Sequence, residues 1–202
     1  MKRVIGLTGG MGSGKSAVAV SLAEGLAASR LDVDRICREL LMPGAKGWCA
    51  VREAFGARYF SRDETLDRPL LRREIFSDSK VRAQLNHLLH PLVHEVMTSR
   101  IAQLTRDDPL ALVVVEVPLL FEAEWEDFFA AVVVVYASAR VCIERLIRRD
   151  GLTIAEARQA AASQWPVFDK AMRADHVIDN SGCWSATCLQ ILHLARLMGA
   201  EY

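Results

Sequence analysis

The sequence lacks net charge: 25 Lys and Arg balance 25 Asp and Glu. A neutral chain has no global field to draw in nucleic acid or an acidic membrane, although basic residues still cluster locally. It lacks any Cys-x-x-Cys pair, and its five cysteines, Cys37, Cys49, Cys142, Cys183 and Cys188, are odd in number. That argues against a disulfide framework or a zinc ribbon and for a reducing compartment. Long hydrophobic runs are also missing. "LALVVVEVPLLF" and "AAVVVVYA" are too short to span a bilayer, and the opening "MKRVIGLTGG" has too short an apolar run for a signal peptide. No repeat, low-complexity segment or obvious linker is present. The expectation is a cytoplasmic protein that binds neither nucleic acid nor membrane, as a monomer or weak homo-oligomer.

What is present is a core: 51% of the 202 residues are hydrophobic. "RVIGLT" is a short apolar run closed by glycines and reads as a strand. "LALVVVEV" and "AAVVVVY" are continuous and β-branched, as parallel strands covered on both faces are. "RLDVD" is a weaker strand, and "DHVID" a fifth, closed by the turn signal "DNSG". Between them lie helical patterns. Lys15 to Ala28 carries Val18, Leu22 and Leu26 on one face. Lys80 to Leu104 repeats Val81, Leu85, Leu88, Leu89, Leu92 and Val96. Pro91 inside it predicts a kink or the first turn of a new helix. A last helix, Trp184 to Met198, is expected to bury Trp184, Thr187, Cys188, Ile191, Leu192 and Ala195. The alternation indicates an α/β fold in three layers, with a parallel five-stranded sheet. Residues 43–107 are too long for a simple crossover. They read as a helical insert within one domain whose core is residues 1–42 and 108–202.

"GGMGSGKS", Gly9 to Ser16, fits G-x-x-x-x-G-K-[ST] between a strand and a helix. Glycines let the backbone wrap closely around phosphate oxygens. Consecutive N–H groups then line one anion-sized hollow at the positive end of a helix. The nucleotide-binding residues are Gly10, Gly12, Ser13, Gly14, Lys15, Ser16 and Ala17. Lys15 can reach the β- and γ-phosphates, and Ser16 can ligate Mg²⁺. Hydrolysis, transfer and switching all use such a loop, so the motif leaves the reaction open.

In open parallel sheets, ligands collect beyond the carboxyl ends of the strands. "LDVD" ends the second strand, so Asp32 or Asp34 is expected near the γ-phosphate. A carboxylate there can take a hydroxyl proton and aim the oxygen; equally, Asp34 can cap the helix "RICRELL". In "ERLIRRDG", Arg145 and Arg149 share a helix face and can grip a triphosphate, or can form a solvated helix end closed by Asp150 and Gly151. The next helix, "TIAEARQAAASQ", has the character of a lid, giving a lid region of 145–170. Glu116, ending a buried strand, is either an acid behind a Mg²⁺-bound water or a structural acid. No N-K-x-D guanine-reading motif occurs, which counts against a nucleotide switch.

Together these blocks resemble the dephospho-CoA kinase family, which phosphorylates the ribose 3′-hydroxyl of dephospho-CoA with ATP in the last step to coenzyme A. "GLTGGMGSGKS", "LDVDRICRELLMPG", "TLDRPLLRREIFSD", "LNHLLHPLVHEVM", "VVVEVPLLFE", "RLIRRDG" and "HVIDNSG" follow one another in the family's order and cover almost the whole chain. The resemblance implies a P-loop kinase fold with a helical substrate-binding insert and a helical lid. It implies that Asp34 is the catalytic base, and that Lys15 and Arg145 act on the ATP phosphates with Arg149 assisting. It places His90 with Asp34 on the dephospho-CoA side; Arg72 and Pro118 are further candidates there, with Arg72 open to the plainer reading of a solvated helix face. The sequence departs from the family pattern at Ala17, where a second hydroxyl is common. It also departs at Arg35, where an apolar residue is usual, and at Trp165 and Phe168 beside the lid.

Overall fold

In the computed structural model, which describes residues 3–108 and 110–201, Val4–Gly9 forms β1 and runs straight into the glycine loop. Ser29–Asp32 forms β2, Val113–Glu116 β3, Ala131–Tyr136 β4 and His176–Asp179 β5. All pairings are parallel, in the order β2-β3-β1-β4-β5. This is the parallel five-stranded α/β sheet expected from the β-branched runs. β1 is central, with the chain winding outward on both sides. In sheets of this kind ligands collect beyond the carboxyl ends of the central strands, here the end of β1.

Side chains alternate along each strand, which gives the sheet two distinct faces. On one face Ile5, Leu7, Val114, Val133, Val135 and Ile178 meet two helices, α1 (Lys15–Gly25) and α9 (Trp184–Glu201). The α1 contacts come from Val18, Ala19 and Leu22, the face expected from spacing. α9 sits differently. Trp184 and Leu192 are 42% and 52% exposed, whereas Ile191, Leu194, Ala195 and Met198 are buried. The apolar residues of α9 occur almost all round its first turns, so spacing alone does not select the buried stripe.

Gly6 faces the other side, where a Cβ would fall 2.7 Å from Phe129 and 2.8 Å from Leu120. Thr8 shares that face and donates to the Pro118 carbonyl at 3.3 Å. The remaining helices of this unit are α6 (Ala139–Asp150), α7 (Ile154–Ala162) and α8 (Val167–Arg173). α6 closes with Gly151 in the left-handed conformation, and α7 opens with a Thr153–Glu156 capping box.

The chain divides into two compact units, Met1–Asp32 with Ile101–Tyr202, and Val33–Arg100. The second is helical: α2 (Val33–Leu40), α3 (Lys46–Phe55), α4 (Arg68–Ser77) and most of α5 (Ser79–Leu104). Its core gathers Val51, Tyr59, Leu71, Leu85 and Leu89. α5 runs unbroken through Pro91, so no new helix starts there. Its buried stripe is Leu85, Leu89, Val93, Met97 and Ile101; Leu88, Leu92 and Val96 are only half-buried.

Lys170 on α8 is wholly buried. Its ammonium donates to the Pro118 carbonyl at 3.1 Å and pairs with Glu122 Oε1 at 2.8 Å. The backbone N–H of Trp165 reaches the same carboxylate oxygen at 2.9 Å. Burial pushes the Lys170 pKa down from its ordinary value, and Glu122 opposes that shift. Glu122 Oε2 is buried and has no hydrogen-bond partner among the described residues. Removing the cation alone therefore strands a carboxylate. Lys170→Met should lower unfolding free energy in urea by about 3 kcal/mol, and adding Glu122→Leu should recover part of that loss. Recovery stays incomplete because Trp165 N–H loses its acceptor.

Candidate active site

The loop between β1 and α1 has the shape that its glycines were expected to allow. Gly12 and Gly14 adopt φ of 81° and 90°, where an L side chain is strained. Space excludes side chains as well. A Cβ on Gly12 would lie 2.6 Å from the Cys142 carbonyl oxygen, and one on Gly14 2.3 Å from Asn180 Nδ2. Gly14 is also the N-cap of α1. It offers no side-chain cap, and no acidic residue occupies the first turn. The positive end of the helix is thus left for an anion from outside the chain.

Lys15 Nζ donates to the carbonyls of Gly10 at 2.9 Å and Gly9 at 3.2 Å, which folds its ammonium back over the loop. Ser13 is buried within the loop, while Ser16 and Ala17 are exposed at the start of α1. Ser16 Oγ donates to Glu116 Oε1 at 2.6 Å. Glu116 Oε2 faces Arg30 Nη1 at 3.3 Å. Strand register sets Glu116 beside Asp32 across the β2–β3 pair. Burial raises the Glu116 pKa above its ordinary value, and the Asp32 charge adds to the rise. The Ser16 hydrogen bond, Lys15 and Arg30 oppose it. A hydroxyl and a carboxylate at hydrogen-bonding distance form an all-oxygen donor set, which fits a hard divalent cation.

Arg145 rises from α6 onto the loop backbone. Its guanidinium donates to the carbonyls of Ser13 at 3.3 Å, Gly12 at 3.5 Å and Asn180 at 2.9 Å. Arg149, one turn on, is exposed and forms a two-pronged pair with Asp150 at 2.8 and 3.0 Å. The two arginines expected to share one task are thus placed against different partners. Pro118 follows β3, and its carbonyl accepts from Thr8 and Lys170.

The other expected residues belong to the helical unit. Asp34 is exposed in the first turn of α2. The helix starts one residue before it, so Asp34 lies inside the helix and is not its N-cap. A carboxylate in that turn still suits the helix dipole. Asp34 also helps to raise the pKa of the neighbouring Cys37 thiol, which burial above all pushes to about 11. Arg72 is exposed on α4, 5.4 Å over the Phe76 ring. His90 is half-buried on α5. Of the departures, Arg35 pairs with Glu39 at 3.1 Å. Trp165 stacks on Phe121, with Arg173 over both rings.

Three contacts were not foreseen from the sequence. Asn180 reads from the sequence only as part of the turn signal "DNSG"; it is 4% exposed, and its amide reaches Ser13 O at 2.7 Å. Arg30 reads from the sequence only as a polar residue of a weak strand. Lys170 carried no signal, since a lysine in "VFDKAMR" reads as surface.

The sequence matches the profile of the CoaE family, dephospho-CoA kinase, over residues 3–185. The dephospho-CoA kinase of Moorella thermoacetica is 43% identical over 184 residues, spanning 91% of this chain and 86% of that protein. That of Syntrophotalea carbinolica is 40% identical, spanning 96% and 92%. Among solved structures, TT1252 from Thermus thermophilus superposes with a TM-score of 0.73 at 29% identity, covering 96% of each chain. The strand–loop–helix cradle, the order of the sequence blocks and these matches agree: the chain belongs to the dephospho-CoA kinase family.

Proposed function

We propose that the protein transfers the γ-phosphoryl group of ATP to the ribose 3′-hydroxyl of dephospho-CoA, yielding coenzyme A and ADP. The observation that carries this is the glycine loop on the central strand, within a chain that matches the family over nearly its whole length. The loop N–H groups and the end of α1 hold the phosphates. Lys15 moves from the Gly9 and Gly10 carbonyls to the β- and γ-phosphates, exchanging neutral acceptors for charged ones. Arg145 stands beside the loop as a further cation for the charge that shifts to ADP.

Asp34 is the proposed base. It accepts the 3′-hydroxyl proton as the new O–P bond forms and the bond to the β–γ bridging oxygen breaks. The transition state is loose, so aiming the hydroxyl in line matters more than basicity. Ser16 and Glu116 would hold Mg²⁺, which when bound neutralises charge on the β- and γ-phosphates. Arg72, His90 and Pro118 are the proposed contacts to dephospho-CoA. Arg149 and the 145–170 segment close over the nucleotide and exclude water. No helix among the described residues is long and apolar enough to cross a membrane. With five free cysteines, that suits a cytoplasmic enzyme.

The direct test offers ATP and Mg²⁺ with dephospho-CoA, nucleoside monophosphates or no acceptor. Coenzyme A should form, with far slower turnover of the other acceptors. Preference for a monophosphate, or acceptor-independent hydrolysis, refutes the reading. Asp34→Asn should lower kcat about 10²–10⁴-fold with ATP affinity within about twofold of the parent. Glu116→Gln should raise the Mg²⁺ concentration for half-maximal rate severalfold, with little change in the Kd of metal-free ATP. A rate fall with unchanged Mg²⁺ dependence would assign Glu116 a structural role.

A further inference from the structure

Asn180 follows β5, far along the chain from the glycine loop, yet its side chain is buried against that loop. Its Nδ2 donates to the Ser13 carbonyl at 2.7 Å, and its Oδ1 accepts from the buried Thr187 hydroxyl at 3.0 Å. Its backbone carbonyl accepts from Arg145 Nη2 at 2.9 Å, and its backbone N–H donates to Tyr136 O at 2.8 Å. Both ends of the amide are thus assigned by chemistry. A backbone carbonyl can only accept, so the atom facing Ser13 must be the nitrogen. Thr187 donates to the opposite end and locks that orientation.

We propose that Asn180 is a positioning residue for the phosphate loop, and that Gly14 lacks a side chain in part to admit its amide. The peptide plane supplies the link. The Ser13 carbonyl and the Gly14 N–H belong to one planar trans unit and point in opposite directions. Anchoring the carbonyl to Asn180 on one side aims the Gly14 N–H the other way. Arg145 pins the same carbonyl and that of Gly12. The space where a Gly14 Cβ would sit lies 2.3 Å from Asn180 Nδ2 and 3.8 Å from Arg145 Nη1. Any side chain there would expel the amide. The glycine before the lysine therefore serves the support behind the loop as well as the loop's own turn. Preorganised N–H groups need no reordering when the anion arrives.

Asn180→Asp tests this with shape preserved. It replaces the donor by an acceptor facing the Ser13 carbonyl. The added charge also repels the triphosphate, so weaker binding in this variant supports the positioning role only alongside weaker binding in the neutral Thr187→Val. The positioning role predicts roughly tenfold weaker ATP binding, as for one lost and reversed hydrogen bond. The KM for ATP should rise with it, while kcat and the KM for the acceptor move much less. Thr187→Val keeps the asparagine and removes only its orientation lock, so ATP binding should weaken severalfold. Both variants are read by calorimetry with ATP and Mg²⁺, without acceptor. The outcome therefore does not depend on which acceptor the enzyme uses, only on the loop binding nucleotide. Wild-type affinity in folded Asn180→Asp overturns the proposal. Wild-type affinity in Thr187→Val overturns it as well, whether or not Asn180→Asp folds. A loss confined to kcat, with ATP affinity intact, also overturns it.

Discussion

The hydrogen bonds from Arg145 and Asn180 to the carbonyls of Gly12 and Ser13 are the constraint on which the nucleotide site rests. A glycine-rich segment has more freedom to lose than any other, so it must be held if it is to present its N–H groups in one geometry. Here the support comes from two places distant in sequence. Arg145 comes from α6, after β4, and Asn180 from the turn after β5. The loop itself follows β1. Three consecutive positions across the sheet, β1, β4 and β5, thus converge on one short stretch of backbone.

The sheet makes that convergence possible. Parallel strands end together, so residues just past β1, β4 and β5 lie along one edge. The other side of β1 does comparable work. β3 ends in Glu116, which receives the Ser16 hydroxyl, and β2 ends in Asp32 beside it. One half of the edge therefore supports the loop and the other supplies carboxylates. Lys170 adds a tie beneath, joining α8 to the segment after β3. A buried lysine is tolerated only because Glu122 and the Pro118 carbonyl meet it.

Much of this was legible in the sequence. Buried parallel strands announce themselves as β-branched runs, so β3 and β4 were plain. β2 was faint because only Leu31 of its four residues is buried. The phosphate loop was legible in full, since its spacing and its place between strand and helix are both local. The helix stripes were legible in kind but not always in phase. On α5 the buried set falls strictly every fourth residue, while apolar residues also occupy neighbouring rows. On α9 the exposed Trp184 and Leu192 look as apolar as the buried Leu194. The support behind the loop was not legible. Its bonds run from side chains to backbone carbonyls over separations of 35 to 167 residues, and a carbonyl leaves no mark in the sequence. Lys170 and Arg30 were missed for the same reason: their partners are set by the tertiary fold, whereas residue type alone places both at the surface.

The fold builds the loop in its anion-binding form before any nucleotide arrives. A crystal structure with a non-hydrolysable ATP analogue and Mg²⁺ tests this most directly. Gly9 to Ser16 should keep its backbone path, with Asn180 Nδ2 and Arg145 still on the Ser13 carbonyl. Lys15 should be the mover, leaving the Gly9 and Gly10 carbonyls for the phosphates. A refolded loop with the Asn180–Ser13 bond broken would contradict the account.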